Sequence, residues 1–194
     1  MPTLPLVLAS SSPYRRELLS RLGLAFSYAS PDIDESPLPG EAVSQLVQRL
    51  SRCKTEALAA QNPAALIIGS DQAALLDNTI LGKPGNHEAA LAQLRAASGR
   101  TIEFHTGLCL LNTGSGNCQL TEEVFSVQFR QLDEDEIERY LRAEQPYDCA
   151  GSFKAEGLGI SLFEGFAGRD PNSLIGLPLI ALCGFLRVEG LELP

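Results

Sequence analysis

The chain has 194 residues, 44% hydrophobic and 20% charged, the balance of a globular protein able to bury a core of its own. Its 24 Asp and Glu against 15 Lys and Arg leave a net charge of −9, which excludes broad, non-specific binding to nucleic-acid polymers, since that requires a basic face. No apolar run reaches the ~18 residues of a membrane helix, and MPTLPLVLASSS lacks the basic opening of a signal peptide, so a cytoplasmic location without membrane attachment is expected.

Strand-like and helix-like runs alternate without repeats or linkers, which predicts an α/β fold in a single domain over residues 1–194. Residues 4–10 read as a strand and 13–23 as a helix, with Ser12 as N-cap and Pro13 at its first position. A short strand at 25–29 leads into the loop SPDIDESPLPGE. Residues 41–60 carry apolar side chains at helical spacing. LIIGSD (66–71) reads as a buried strand ending in an acid, and Asp77-Asn78 as a hairpin turn after it. A helix over 86–98 follows. Residues 101–131 alternate around NTGSGN as a longer hairpin. DEDEIERYLRAE (133–144) is a helix whose acids mass at the N-terminal end, where the dipole favours them, and reads as a solvated cap rather than a metal cluster. Residues 150–176 are glycine-rich and expected to be loops; PLIALCGFLRVEG closes the chain as a helix.

Four constellations could carry chemistry. The first is LASSSPYRRELL, where a strand stops in hydroxyl residues before a helix N-terminus. Free backbone N–H groups and the dipole make such a turn an anion site. Arg15 and Arg16 stand in the first turn, where the dipole disfavours cations. Either an anionic ligand compensates them, or they reach solvent and pair with Glu17 and Asp32. The second is Asp71, either an acid lining the crevice at strand C-termini or a cap of the next turn. The third is the acidic loop Asp32-Ile33-Asp34-Glu35, either a source of hard oxygen ligands or a solvated run. The fourth is two isolated lysines, Lys54 and Lys83, each singly readable as a surface residue.

Several patterns are absent. The sequence has no GxxxxGK[ST], GxGxxG or GxSxG. His87-Glu88 begins like HExxH, but position 91 is Leu; His105, in an alternating strand, reads as structural. The cysteines (Cys53, Cys109, Cys118, Cys149, Cys183) form no CxxC pair and are expected to be reduced and mostly buried.

Taken in order, SxSPxRxxLL, an acidic DE, a helix with KxxA, a strand with G-[AS]-D, GKP, AGS-F and the late Ile175-Gly176-Leu177-Pro178 resemble the Maf family of nucleotide pyrophosphatases over nearly the whole chain. The resemblance implies a mixed, curved central sheet flanked by helices, in two lobes with an active-site cleft, and in many members a homodimer. It implies hydrolysis of a nucleoside triphosphate to the monophosphate and pyrophosphate with a divalent metal cation (Mg, Mn or Co). It assigns the proton acceptor to Asp71, and its other motif positions fall on Ser10, Arg15, Glu35, Lys54 and Lys83. Phosphate binding is then expected at Ser10, Ser12, Arg15, Lys54 and Lys83, and metal ligation at Glu35 and Asp71. Tyr14, Gln72 and Glu156 resemble the subgroup acting on 7-methyl-GTP, although that subgroup often carries Trp where this chain has Tyr14. An aromatic face suits the cationic 7-methylguanine ring, and a carboxylate accepts from its N1 and N2 donors. Hydrolysis of dTTP or UTP, and a nucleotide-binding regulator of septum formation, are the alternatives. Arg16 and Lys154 receive no role from the resemblance.

Overall fold

A computed structural model of the chain describes residues 4–193. The described residues form two compact units. The first comprises those up to Gln72, Thr106–Glu123 and those from Asp170 onward; the second comprises Ala73–His105 and Val124–Arg169.

In the first unit β1 (Leu6–Ala9) lies between β2 (Ser27–Ala29) and β3 (Leu66–Leu76) and is parallel to both, with Val7 opposite Ser27 and Ile67. The order continues through β5 (Thr101–Asn112) to β6 (Cys118–Phe129). All four β1 residues are buried, as expected of a parallel strand covered on both faces. Leu6 and Leu8 meet Leu18 and Leu19 of α1 (Pro13–Ser20) and Leu182 and Leu186 of α6 (Leu179–Val188). Val7 and Ala9 face the other way, toward Leu58 of α2 (Val43–Ala59). Strand alternation thus assigns α1 and α6 to one side and α2 to the other. α2 sits very close: a Cβ at Gly69 would overlap the Ser51 carbonyl, and one at Gly107 the Val47 carbonyl.

In the second unit the end of β3 turns at Asp77-Asn78 into β4 (Thr79–Leu81), pairing Leu76 with Thr79. Asp77 has φ +53°, which aspartate tolerates in tight turns. Asn86 caps α3 (His87–Ala97) and Asp133 caps α4 (Glu134–Glu144). The end of β6 pairs antiparallel with β7 (Phe163–Ala167). Phe104, Phe129, Phe153 and Phe163 pack edge to face, with ring centroids 4.8 to 5.5 Å apart.

The mixed α/β class and most predicted elements are present. Four details differ. α1 ends at Ser20, not at residue 23, because the chain turns through Gly23 at φ +68°. β3 does not end at Asp71 but runs on to Leu76, since its pairing with β4 satisfies the extra backbone groups. The glycine-rich segment is not all loop: it contains β7 and α5 (Pro171–Ile175), the latter announced by Asp170 as cap and Pro171 at the first position. The cysteines are free but not mostly buried: only Cys109 is buried, while Cys53, Cys149 and Cys183 are half-buried and Cys118 is exposed; the Cys118 Sγ lies 3.4 Å from that of Cys109, whose thiol burial pushes up to about 12. Among the described residues, no helix is long and apolar enough to cross a membrane.

Candidate active site

The opening turn folds as its hydroxyl residues dictate. Ser10, at the buried end of β1, accepts the Ser12 N–H on its Oγ at 3.1 Å. Ser12 in turn caps α1 by accepting the Arg15 N–H at 3.4 Å. Arg15 is half-buried and donates from Nε to the Gly176 carbonyl at 2.7 Å. Burial pushes its pKa below the ordinary value, while the charges of Asp71 and Glu35 oppose that shift; a guanidinium remains cationic throughout. No described residue accepts from its two Nη groups. Tyr14, half-buried, precedes it in the first turn. Arg16 is separate: its guanidinium stacks 4.4 Å from the centroid of the Tyr28 ring. Glu17, one of the partners the sequence offered to Arg15 and Arg16, pairs instead with Arg21 one helical turn on.

The acidic part is built on α2. Ser51 and Lys54 share its buried face, three residues apart. The Lys54 ammonium lies 2.6 Å from Asp71 Oδ1 and 2.8 Å from Glu35 Oε1. Its side chain is 7% exposed, and a lysine that dry is tolerated only when paired. Asp71, 12% exposed, is the inner partner; Glu35, 59% exposed, is the outer one. Ser51 fixes the strand beneath: its Oγ donates to the Val47 carbonyl at 2.6 Å and accepts the Asp71 N–H at 3.0 Å. Asp71 Oδ2 accepts from no described residue and is the free lone-pair donor of the centre.

The opposite face of β3 is engaged as well. Ser70 Oγ reaches the Gly107 and Gly176 carbonyls at 2.8 and 3.0 Å. Gln72 Nε2 donates to Ser173 O, Thr106 Oγ1 and Leu174 O at 2.7, 3.0 and 3.1 Å.

Glu35, Lys54, Asp71 and Arg15 are therefore brought together in the first unit, beside Ser10 and Ser12. Lys83 and Glu156 belong to the second unit, where both are exposed, Lys83 after β4 and Glu156 in the turn before residues 158–162. Lys154 pairs with Glu144 at 3.8 Å. Sequence reasoning gave no role to Ser51, Ser70, Thr106 or Gly176, although Ser70 and Gly176 stand in the motifs that carry the resemblance. Ser51 was detectable as a polar residue on the apolar face of α2, and Ser70 from strand alternation around Asp71.

The donor chemistry fits a divalent cation in one respect. Two carboxylates already converge on a single positive charge, and oxygen ligands suit Mg²⁺ or Mn²⁺. Among the described residues no group of three His, Cys, Asp or Glu could hold a metal ion. The remaining ligands would then be water and phosphate oxygens, the usual arrangement for Mg²⁺.

A family model described as Maf-like protein matches residues 5–189. A 7-methyl-GTP pyrophosphatase of Pseudomonas fluorescens (strain Pf-5) is 61% identical over 98% of this chain and 100% of its own length. One from Pseudomonas syringae pv. tomato is 61% identical over 100% of both chains. Among solved structures, the Ham1 protein of Staphylococcus aureus matches 95% of this chain and 99% of its own with a TM-score of 0.51, at 14% identity, a likeness of fold.

Proposed function

The chain belongs to the Maf-like protein family, and from that premise we propose that it hydrolyses 7-methyl-GTP to 7-methyl-GMP and pyrophosphate. The observation that carries the reading is the buried Lys54 ammonium joining Asp71 to Glu35, with Arg15 alongside. Cleavage between the α- and β-phosphates needs an in-line water, a group to take its proton, and cations to meet the charge that develops. Asp71 Oδ2 is the proton acceptor. Arg15 presents its free Nη groups to phosphate oxygens, with Ser10, Ser12 and the start of α1 as the cradle. Lys54 orients Asp71 and adds to the positive field, and Lys83 is a further cation for the phosphates. Glu35 and Asp71 would hold a divalent cation, which when bound would neutralise phosphate charge and lower the pKa of water.

Tyr14 stacks on the cationic base, where stacking is worth about 1–3 kcal/mol. Glu156 accepts from the guanine N1 and N2 donors, which a neutral glutamine would match less well. Gln72 has only its Oε1 left for the base, because its nitrogen is engaged by Ser173, Leu174 and Thr106. Such an enzyme would remove modified nucleotides before they enter RNA.

A panel of nucleoside triphosphates with Mg²⁺, Mn²⁺ or Co²⁺, assayed for pyrophosphate release, tests this. Wild type should favour 7-methyl-GTP, and Asp71→Asn should lose about 10²-fold or more in kcat, in the range of general-base catalysis. Near-normal turnover by Asp71→Asn would defeat the mechanism. Glu156→Gln should narrow the margin over dTTP and UTP roughly tenfold, the weight of one charge-assisted hydrogen bond.

A further inference from the structure

Alternation along β3 gives its consecutive polar residues different tasks. Asp71 turns toward α2, where Ser51 and Lys54 hold it. Ser70 and Gln72 turn the other way, onto the carbonyls that end α5. Ser70, fully buried, is 3.0 Å from Gly176 O, the same oxygen that accepts Arg15 Nε at 2.7 Å. Gln72 ties down Ser173 O and Leu174 O, and Thr106, also fully buried, adds a second bond to Ser173 O at 2.9 Å. The turn they grip is tight. Gly176 closes α5 at φ +120°, a conformation that favours glycine, and a Cβ there would stand 3.4 Å from Arg15 Nε.

We propose that Ser70 and Gln72 are positioning residues for Arg15. They fix the 173–176 turn; its Gly176 carbonyl holds Nε; the two Nη groups are thereby aimed before substrate arrives. Arginine is rich in rotamers, so a free guanidinium would lose freedom on binding phosphate, whereas a pre-aimed one loses little. The same strand therefore sets both halves of the centre, the acid on one face and the bracket of the cation on the other. The inference rests on reading Arg15 as the phosphate-binding cation. It also gives Gln72 a task that does not depend on the base.

Double-mutant cycles with Arg15→Ala decide the matter. In the otherwise wild-type protein, Ser70→Ala should lower kcat/KM for 7-methyl-GTP by about 5- to 10-fold, the weight of one or two hydrogen bonds, and Gln72→Met, which also removes the Oε1 offered to the base, should lower it further. On the Arg15→Ala background Ser70→Ala should cost under about twofold, because its target is gone, and Gln72→Met only what the loss of Oε1 costs. Equal costs on both backgrounds would overturn the inference and leave the reading of Arg15 intact. An Arg15→Ala protein with undiminished turnover would overturn that reading, and this inference with it. A measurement on the wild type needs no variant to fold. The Arg15 Nε–H should give a protected, slowly exchanging NMR resonance without substrate, and rapid exchange there would refute the bracket.

Discussion

Lys54 is the residue on which most of the centre depends. Its ammonium serves two carboxylates at once, and it is drier than either of them. Removing the two ends of the inner pair is therefore not equivalent. Asp71→Asn leaves Lys54 still paired with Glu35, so the buried charge keeps a partner. Lys54→Met leaves Asp71 as a nearly buried carboxylate whose main counter-charge is gone. Breaking a buried pair costs about 3–5 kcal/mol when it strands a charge; here the residual exposure of Asp71 and the nearby Arg15 reduce that to about 2–3 kcal/mol. Both variants should lose turnover, but Lys54→Met should unfold at clearly lower urea than Asp71→Asn. Equal midpoints would show that the ammonium contributes little to holding the carboxylate. Lys54 also shows the limit of reading single residues from sequence. An isolated lysine in RCKTEAL is readable as surface, and only the register of α2 against β3 shows it buried.

At the scale of elements, the contact of α2 with the sheet is what aligns Lys54 and Ser51 with Asp71. That contact runs over two bare glycines. A Cβ at Gly107 would meet the Val47 carbonyl and the Ser51 hydroxyl; α2 backbone cannot give way as a flexible side chain could. Gly107→Ala should therefore cost about 1–3 kcal/mol or more and lower kcat beyond what lost stability explains, because α2 must retreat with Lys54 on it. Gly184, inside α6 and facing open space, makes the control. Gly184→Ala should raise stability by about 0.5–1 kcal/mol, the helix-propensity difference, and leave activity alone. Thermal unfolding of both variants checks the pair, and a stable, active Gly107→Ala would disprove the close approach. The elements themselves were largely legible. Ser12 and Pro13 announced α1, Asp77-Asn78 the β3–β4 turn, and the apolar spacing of 41–60 announced α2, all from local chemistry. β7 and α5 escaped because FEGFA and PNSLI are short and embedded among glycines, where periodicity has too few residues to register. The bracket of Ser70, Gln72 and Gly176 escaped for a different reason: it joins residues about a hundred positions apart.

For the molecule as a whole, a net charge of −9 and a polyanionic substrate pull against each other, and the site resolves this locally. The charge on Lys54 is already offset by two acids, whereas Arg15 beside it keeps both Nη groups for phosphate. The same surplus of acid bears on stability through two effects of opposite sign. Self-repulsion among 24 carboxylates destabilises the folded chain and would be relieved by acidification. Several of those carboxylates are held by partners: Arg49 holds Glu41 down to about 2, and Asp34, Glu134 and Glu138 are held below the ordinary range by Ser36, Arg95 and Arg142. A group whose folded pKa is depressed adds stability that is complete above its unfolded value, near 4, and is lost as pH falls through the folded one. Between pH 7 and 5 both states keep the held acids ionised, so pairing alone predicts a nearly flat Tm there, whereas repulsion alone predicts a rise as the net charge falls toward zero at the isoelectric point, about 4.7. Below about pH 4.5 the held carboxylates predict a fall that steepens toward pH 2, and the growing positive charge adds to it. Most of these pairs are solvent-accessible and individually weak, but four acids share one sign of shift. The fall should therefore prevail. Calorimetry from pH 7 to pH 2.5 at fixed ionic strength measures it, and a Tm that climbs by several degrees from pH 7 to a maximum near the isoelectric point would mean that repulsion, not pairing, governs this acidic fold.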